Sequence, residues 1–400
     1  MAIRKNPLPP MYPGGTAFGD EELKAVTEVI KAQSPFRFYG PKFLDKTGEF
    51  EKNFAKYIGT SYALAVSSGS AALHVALKAL GVNEGDEVIV PAYAWVSCPA
   101  AVVACGAKPV IAEVDESLTL DPEDVSSKVT DKTKVIMAVH MRGAPANLDE
   151  LRKIASENNL LLLEDCAQAV GGSYRGRKLG SIGHIGTHSF QLNKNITAGE
   201  GGAITTNDNI LYQRSIMIHD AGAIWRPVYK DILTEKPVPG YNYRITELQS
   251  AILIEQLKKL DKIIATMRKR WKEIKEGISD IKGVEFRKEN DPDGDTCVCL
   301  VFFLENAIKA QKFVSRLQEE KIYTSSGGYP WLIYTMGKPD GHVYLHWQHY
   351  YDSPKDEKVA PKTLNLITRA IHLDISPLLT DYDVDTIIKG LHKVAKDVLA

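Results

Sequence analysis

Leu160-Leu161-Leu162-Leu163-Glu164-Asp165-Cys166-Ala167-Gln168 is a fully apolar run that stops abruptly at two carboxylates. Four leucines in succession suit a strand covered on both faces, as the strands of a parallel sheet are. In open α/β sheets the carboxyl ends of such strands face the ligand crevice, so Glu164 and Asp165 stand either at a site or in an ordinary solvated loop. The same texture continues outward. From about residue 61 to 206 short apolar runs alternate with amphipathic stretches, predicting strands at 62–66, 87–90, 109–114, 134–139, 160–164, 186–190 and 202–205. Helices are expected at 70–80, 94–105, 148–158 and 209–219, the last followed by a loop, 220–243, rich in Gly, Pro and aromatics.

A long helical pattern runs from Thr246 towards Ile278, with apolar residues at Leu248, Ile252, Leu257, Leu260, Ile263 and Ile264, and could bridge two domains. Beyond it the texture becomes α+β, with strands at 284–286 and 297–304 and helices at 307–320 and 383–398. The expected fold class is α/β: a large domain, 1–265, with an N-terminal substrate segment and a mostly parallel seven-stranded sheet, and a smaller C-terminal α+β domain, 266–400.

Composition sets limits on function. With 400 residues, 44% of them hydrophobic, the chain can bury a large core, and a net charge of -1 provides no basic field to draw it onto nucleic acid or anionic lipid. The first residues lack the apolar core of a signal peptide and no run is long enough to span a membrane, so a cytoplasmic location is the expectation. Cys98, Cys105, Cys166, Cys297 and Cys299 lack the paired spacing of a zinc site or disulfide framework and read as reduced, buried thiols. The aromatic, histidine-bearing stretch 329–352 reads as a loop over a polar ligand, because its glycines and prolines prevent one helix from presenting the histidines together; no metal is expected.

Three features gain meaning together. Asp165 would suit a pyridine cofactor, because a carboxylate beside the ring nitrogen keeps it protonated. Lys194 lies between a strand and the glycine-rich turn Gly199-Glu200-Gly201-Gly202, and is either a surface lysine or, if desolvated, an amine able to form an imine. Ser67-Ser68-Gly69-Ser70-Ala71-Ala72 opens a helix and is either a plain N-cap or a phosphate site; it matches neither a Walker motif nor a dinucleotide fingerprint.

These residues resemble the DegT/StrS sugar aminotransferases of the aspartate aminotransferase fold type I. The resemblance is carried by 63–74, Gly85-Asp86-Glu87-Val88-Ile89-Val90-Pro91, Glu164-Asp165-Cys166-Ala167-Gln168-Ala169, Gly199-Glu200-Gly201-Gly202 and Gly240-Tyr241-Asn242-Tyr243-Arg244. It implies pyridoxal 5'-phosphate (PLP), cycling through pyridoxamine 5'-phosphate, with Lys194 as the Schiff-base lysine and Asp165 on the pyridinium nitrogen. It further implies Gln168 at the ring hydroxyl, Trp95 stacked on the ring, and Ser70, Ala71 and Ser189 at the phosphate. Asn242 would reach the neighbouring subunit's phosphate, which makes the chain a homodimer with shared sites.

The implied reaction moves an amino group from glutamate or glutamine to a keto-sugar in amino-sugar biosynthesis. Sugar contacts are expected from Arg37 and Tyr39 in Phe36-Arg37-Phe38-Tyr39-Gly40, from Arg244 and from Tyr329, although core packing explains the Phe36 stretch equally well. The chain departs from the family at Gln191, Asn193 and Gly327-Gly328-Tyr329-Pro330-Trp331, and these changes leave the acceptor open among nucleotide-linked 3-keto or 4-keto hexoses, keto-cyclitols and octulosonate-type acids. The family's dehydratases carry histidine at the lysine position, so Lys194 argues against that activity. A non-catalytic PLP-binding regulator is the other alternative, opposed by the retained cofactor residues.

Overall fold

The computed structural model describes residues 2–323 and 359–399, together with the backbone of the short pair Ser325–Ser326 and Tyr329–Pro330. The Tyr329 side chain and the stretch 331–352 lie outside the described residues.

Seven strands form the main sheet: β1 (Tyr62–Val66), β2 (Glu87–Pro91), β3 (Lys108–Ala112), β4 (Thr133–Val139), β5 (Leu161–Asp165), β6 (Ile185–Ser189) and β7 (Gly202–Thr206). Their order is β1-β7-β6-β5-β4-β2-β3. Only β7 runs against the rest, pairing antiparallel with both β1 and β6. Alternation along the strands divides the core in two. Val88 and Val90 of β2, Val135, Met137 and Val139 of β4 and Leu163 of β5 join one cluster, while Ile89, Ile136, Ala138 and Leu162 join the other. Successive side chains point to opposite faces, so continuous apolar strands are buried on both.

One face is covered by α5 (Pro122–Ser127) and α6 (Leu148–Glu157), which supply Val125, Leu148, Leu151 and Ile154 to the smaller cluster. The other carries α2 (Lys46–Ile58), α3 (Gly69–Ala79), α4 (Ser97–Ala104) and α7 (Asn209–His219). Helix α8 (Glu247–Gly277) is begun by a capping box between Thr246 and Gln249 and packs against α2 and α1 (Asp20–Ala32). Buried Glu22 of α1 joins Lys259 of α8 at 2.8 Å.

Helix α8 continues through residue 265 without a break, and the larger cluster runs on into the C-terminal part. There β8 (Glu285–Phe286), β9 (Cys299–Phe303) and β10 (Ala370–Asp374) form an antiparallel sheet against α9 (Ala307–Glu319), α10 (Pro361–Arg369) and α11 (Asp381–Val398). The N-terminal residues join this part: Arg4 pairs with Asp383 at 2.6 Å, and the Leu8 N–H donates to the Tyr323 carbonyl at 2.7 Å. All five cysteines are buried and free of disulfides. No described helix is long and apolar enough to cross a membrane.

Candidate active site

The site residues gather where β1, β2, β5 and β6 end and β7 begins. Gly202 ties three of these ends together, being the register partner of both Val66 and Ser189. A Cβ on Gly202 would lie 2.4 Å from the Ser68 carbonyl oxygen, so only glycine lets the turn before α3 come this close. The Ser68 hydroxyl caps α3 by accepting from the Ala71 N–H at 3.0 Å. Helix geometry leaves the first amides, those of Gly69 and Ser70, without an intrahelical acceptor, and the helix dipole adds positive charge there. Ser189 stands against this end, since a Cβ on Gly69 would be 2.7 Å from the Ser189 Cβ. The Ser70 hydroxyl is 2.7 Å from that of Ser97 at the start of α4. Small side chains, free amides and two hydroxyls make a cradle suited to a phosphate.

Asp165 closes β5. It is 4% exposed, with Oδ1 accepting from the Ala167 N–H at 2.9 Å and Oδ2 from the Cys98 thiol at 3.2 Å. Its neighbour Glu164 points to the opposite face and is fully buried. The Glu164 carboxylate accepts from the amides of Gly180, Ile182 and Gly183 and from His140 Nε2, whose ring takes the Ala146 N–H at Nδ1. Burial raises the Glu164 pKa, but these donors outweigh it and hold the carboxyl below its ordinary range. The two adjacent acids therefore divide: Glu164 braces the 180–183 loop and Asp165 meets Cys98 at the start of α4.

Lys194 lies in the loop between β6 and β7. Its N–H donates to the Gln191 carbonyl at 2.9 Å and its own carbonyl accepts from the Gly14 N–H at 3.0 Å. Asn195, donating to the Val170 carbonyl, and Thr197, donating to the Phe190 carbonyl, pin the loop on either side. Burial lowers the Lys194 amine's pKa; Asp165 opposes that shift and Arg142 reinforces it. An amine less firmly protonated is a better nucleophile. Gln168 accepts the Arg142 N–H at 3.1 Å through Oε1.

Trp95 follows β2 with its indole 63% exposed, and its carbonyl accepts the Cys98 N–H at 2.9 Å. Asn242 is exposed on a segment laid along the end of β1, where the Ser67 N–H reaches the Tyr243 carbonyl at 2.8 Å. Arg244 pairs with buried Asp220 at 2.5 Å, and Asp220 also holds Arg226, whose guanidinium lies 4.1 Å from the Phe38 ring centroid. Tyr39 is exposed, its ring 4.8 Å from that of Phe36. Arg37, expected among the sugar contacts, is instead buried, bonded to Glu51 at 2.7 Å, to the Ala65 carbonyl at 3.2 Å and to the Tyr229 hydroxyl at 3.3 Å. Packing accounts for it without a ligand.

Two residues at this edge escape sequence reasoning. Cys98 looks like any buried thiol until α4 brings it to Asp165. Arg142 has a φ of 57°, and its guanidinium pairs with Asp374 of β10.

Comparison with known proteins places this geometry. GDP-perosamine synthase of Escherichia coli O157:H7 is 33% identical over 351 residues, covering 87% of this chain and 90% of that protein. The Vibrio cholerae GDP-perosamine synthase is 41% identical over 228 residues, 57% of this chain and 60% of that one. Among solved structures, S. venezuelae DesV in complex with a ketimine intermediate matches with a TM-score of 0.83 at 29% identity, covering 98% of this chain and 99% of that one. An aminotransferase from Psychrobacter cryohalolentis matches with a TM-score of 0.85 at 28% identity over 98% of this chain and all of that one.

Fold and site together define a PLP-dependent aminotransferase of fold type I. The chain belongs to the DegT/DnrJ/EryC1/StrS aminotransferase family, matched over residues 17–392.

Proposed function

We propose that Lys194 and Asp165 are the catalytic pair of this aminotransferase, with Lys194 as the Schiff-base lysine and Asp165 on the pyridine nitrogen. The observation that carries the reading is the convergence, at one sheet edge, of a desolvated lysine, a buried carboxylate and a helix N-terminus backed by Ser189. Bound PLP supplies an aldehyde that captures amines as imines and a ring that draws off electrons. Ser70, Ala71 and Ser189 would hold its phosphate, Trp95 would cover the ring, and Gln168 would meet the ring hydroxyl. Lys194 Nζ would take the proton from the donor's α-carbon and later return one, acting as base and then acid. A lowered amine pKa suits that exchange.

The donor is glutamate or glutamine and the acceptor is a keto-sugar, for which the similarity to GDP-perosamine synthases supports a nucleotide-linked form. Tyr39, Arg244 and Tyr329 are the proposed sugar contacts. The chain acts as a cytoplasmic homodimer in which Asn242 reaches the neighbouring phosphate; exposed Tyr241 and Trp225, 67% and 59% accessible, support a partner surface there. The domain division falls near residue 265 within α8, with the first ten residues counted with the C-terminal part.

Borohydride reduction of the yellow holoenzyme should fix the cofactor on the peptide containing Lys194, and glutamate or glutamine should bleach the absorbance of the resting enzyme. A protein still colourless after PLP addition, or cofactor fixed on another lysine, would overturn the reading.

A further inference from the structure

We propose that Cys98 is a positioning residue: its thiol, donating to Asp165 Oδ2, sets the direction and basicity of the carboxylate that meets the cofactor's ring nitrogen. The inference rests on the reading of Asp165 given above. Cys98 is fully buried and its thiol lies 3.2 Å from Oδ2, while the other oxygen, Oδ1, takes the Ala167 N–H. The carboxylate is thus gripped by donors from two elements, its own strand end and the first turn of α4.

The start of α4 is a junction for three parts of the site. Cys98 donates its N–H to the Trp95 carbonyl and its thiol to Asp165, and the preceding residue, Ser97, meets the Ser70 hydroxyl of the phosphate turn. A shift of this turn would move the aromatic, the acid and the cradle together. Burial and then the nearby Asp165 push the thiol's pKa well above its ordinary value, so the sulfur keeps its hydrogen and remains a donor at working pH. A carboxylate deprived of a donor becomes more basic. In Cys98→Ala the proton shared with the ring nitrogen should therefore move towards Asp165, leaving the ring less cationic and the imine on Lys194 more firmly protonated.

Two readouts on the holoenzyme test this. In the infrared, the difference between wild type and Cys98→Ala should contain an S–H stretch lowered by hydrogen bonding, and that band should return to the free-thiol position in Asp165→Asn. In a pH titration of the bound cofactor's absorbance, Cys98→Ala should shift the transition to higher pH, by less than Asp165→Asn does. Its kcat should fall a few-fold with KM for the amino donor unchanged, and Cys98→Ser, which keeps a donor, should recover most of both effects. An S–H band insensitive to Asp165→Asn would overturn the proposal, as would a Cys98→Ala titration identical to wild type while Asp165→Asn shifts it. If Asp165→Asn leaves the titration unmoved, the assignment of Asp165 itself fails.

Discussion

Gly69 and Ser189 touch so closely that a methyl group on the glycine would sit 2.7 Å from the serine Cβ and 3.0 Å from its hydroxyl. Residues 120 positions apart are thereby forced into one small cradle, Gly69 opening α3 and Ser189 closing β6.

Gly69→Ala should push α3 away from β6. Overpacking of this kind costs about 1–3 kcal/mol. Because the strain falls on the cradle, it should appear as PLP affinity weakened by roughly tenfold to a hundredfold. Equilibrium dialysis of PLP against the variant measures it, and wild-type affinity would show that this corner is not where the phosphate sits.

Much of this fold is legible in the sequence because apolar strands buried on two faces are conspicuous. All seven main-sheet strands lie where their runs predict, within about two residues, as helix and strand ends usually do. Helix α1 is not announced: its buried face includes Glu22, and the partners that make a buried carboxylate tolerable, Gln256 and Lys259, lie more than 230 residues away. Strand β10 is hidden in the same way by buried His372 and Asp374. The site shows the same limit. Lys194 and Asp165 stand out through their neighbours in sequence, whereas the partners of Arg37, Cys98 and Arg142 are brought together only by the fold.

Arg37→Ala should act on stability and not on substrate binding. Removing the guanidinium strands Glu51 inside the protein, and breaking a buried pair costs about 3–5 kcal/mol. The denaturant midpoint should drop accordingly, while KM for both substrates in the folded fraction stays at the wild-type value. A raised acceptor KM with unchanged stability would return Arg37 to the sugar site.

Acid should unfold the protein partly through His188 and His219. Burial lowers both pKa values from 6.5 to about 3. Since the unfolded chain takes up these protons first, stability is whole above pH 6.5 and falls as pH drops towards 3. Each histidine contributes a slope on the order of 1 kcal/mol per pH unit in that window. Urea midpoints measured at neutral and mildly acidic pH give the slope, and His188→Gln, with the Thr205 hydroxyl still within reach of an amide, should flatten it. An unchanged slope would mean that His188 titrates normally in the folded protein.

The adjacent acids offer the sharpest contrast. Asp165→Asn keeps the size of the side chain and, with the amide oxygen still accepting from the Ala167 N–H, leaves only the weakly donating Cys98 thiol without its acceptor, so folding should be near normal. It removes the negative charge opposite the ring nitrogen, and kcat should fall roughly a hundredfold or more, the scale of losing a preorganised electrostatic partner. Glu164→Gln does the reverse. The amides of Gly180, Ile182 and Gly183 crowd both carboxylate oxygens, so one of them must confront the new NH2 group. A buried donor left facing another donor costs about 1–3 kcal/mol, and more where a charge is lost. Thermal melting with single-turnover kinetics on the folded protein separates the two outcomes, because one carboxylate supports the chemistry and its neighbour supports the loop. If Glu164→Gln slowed turnover as severely as Asp165→Asn while leaving the melting temperature intact, the division of roles between the two faces of β5 would be wrong.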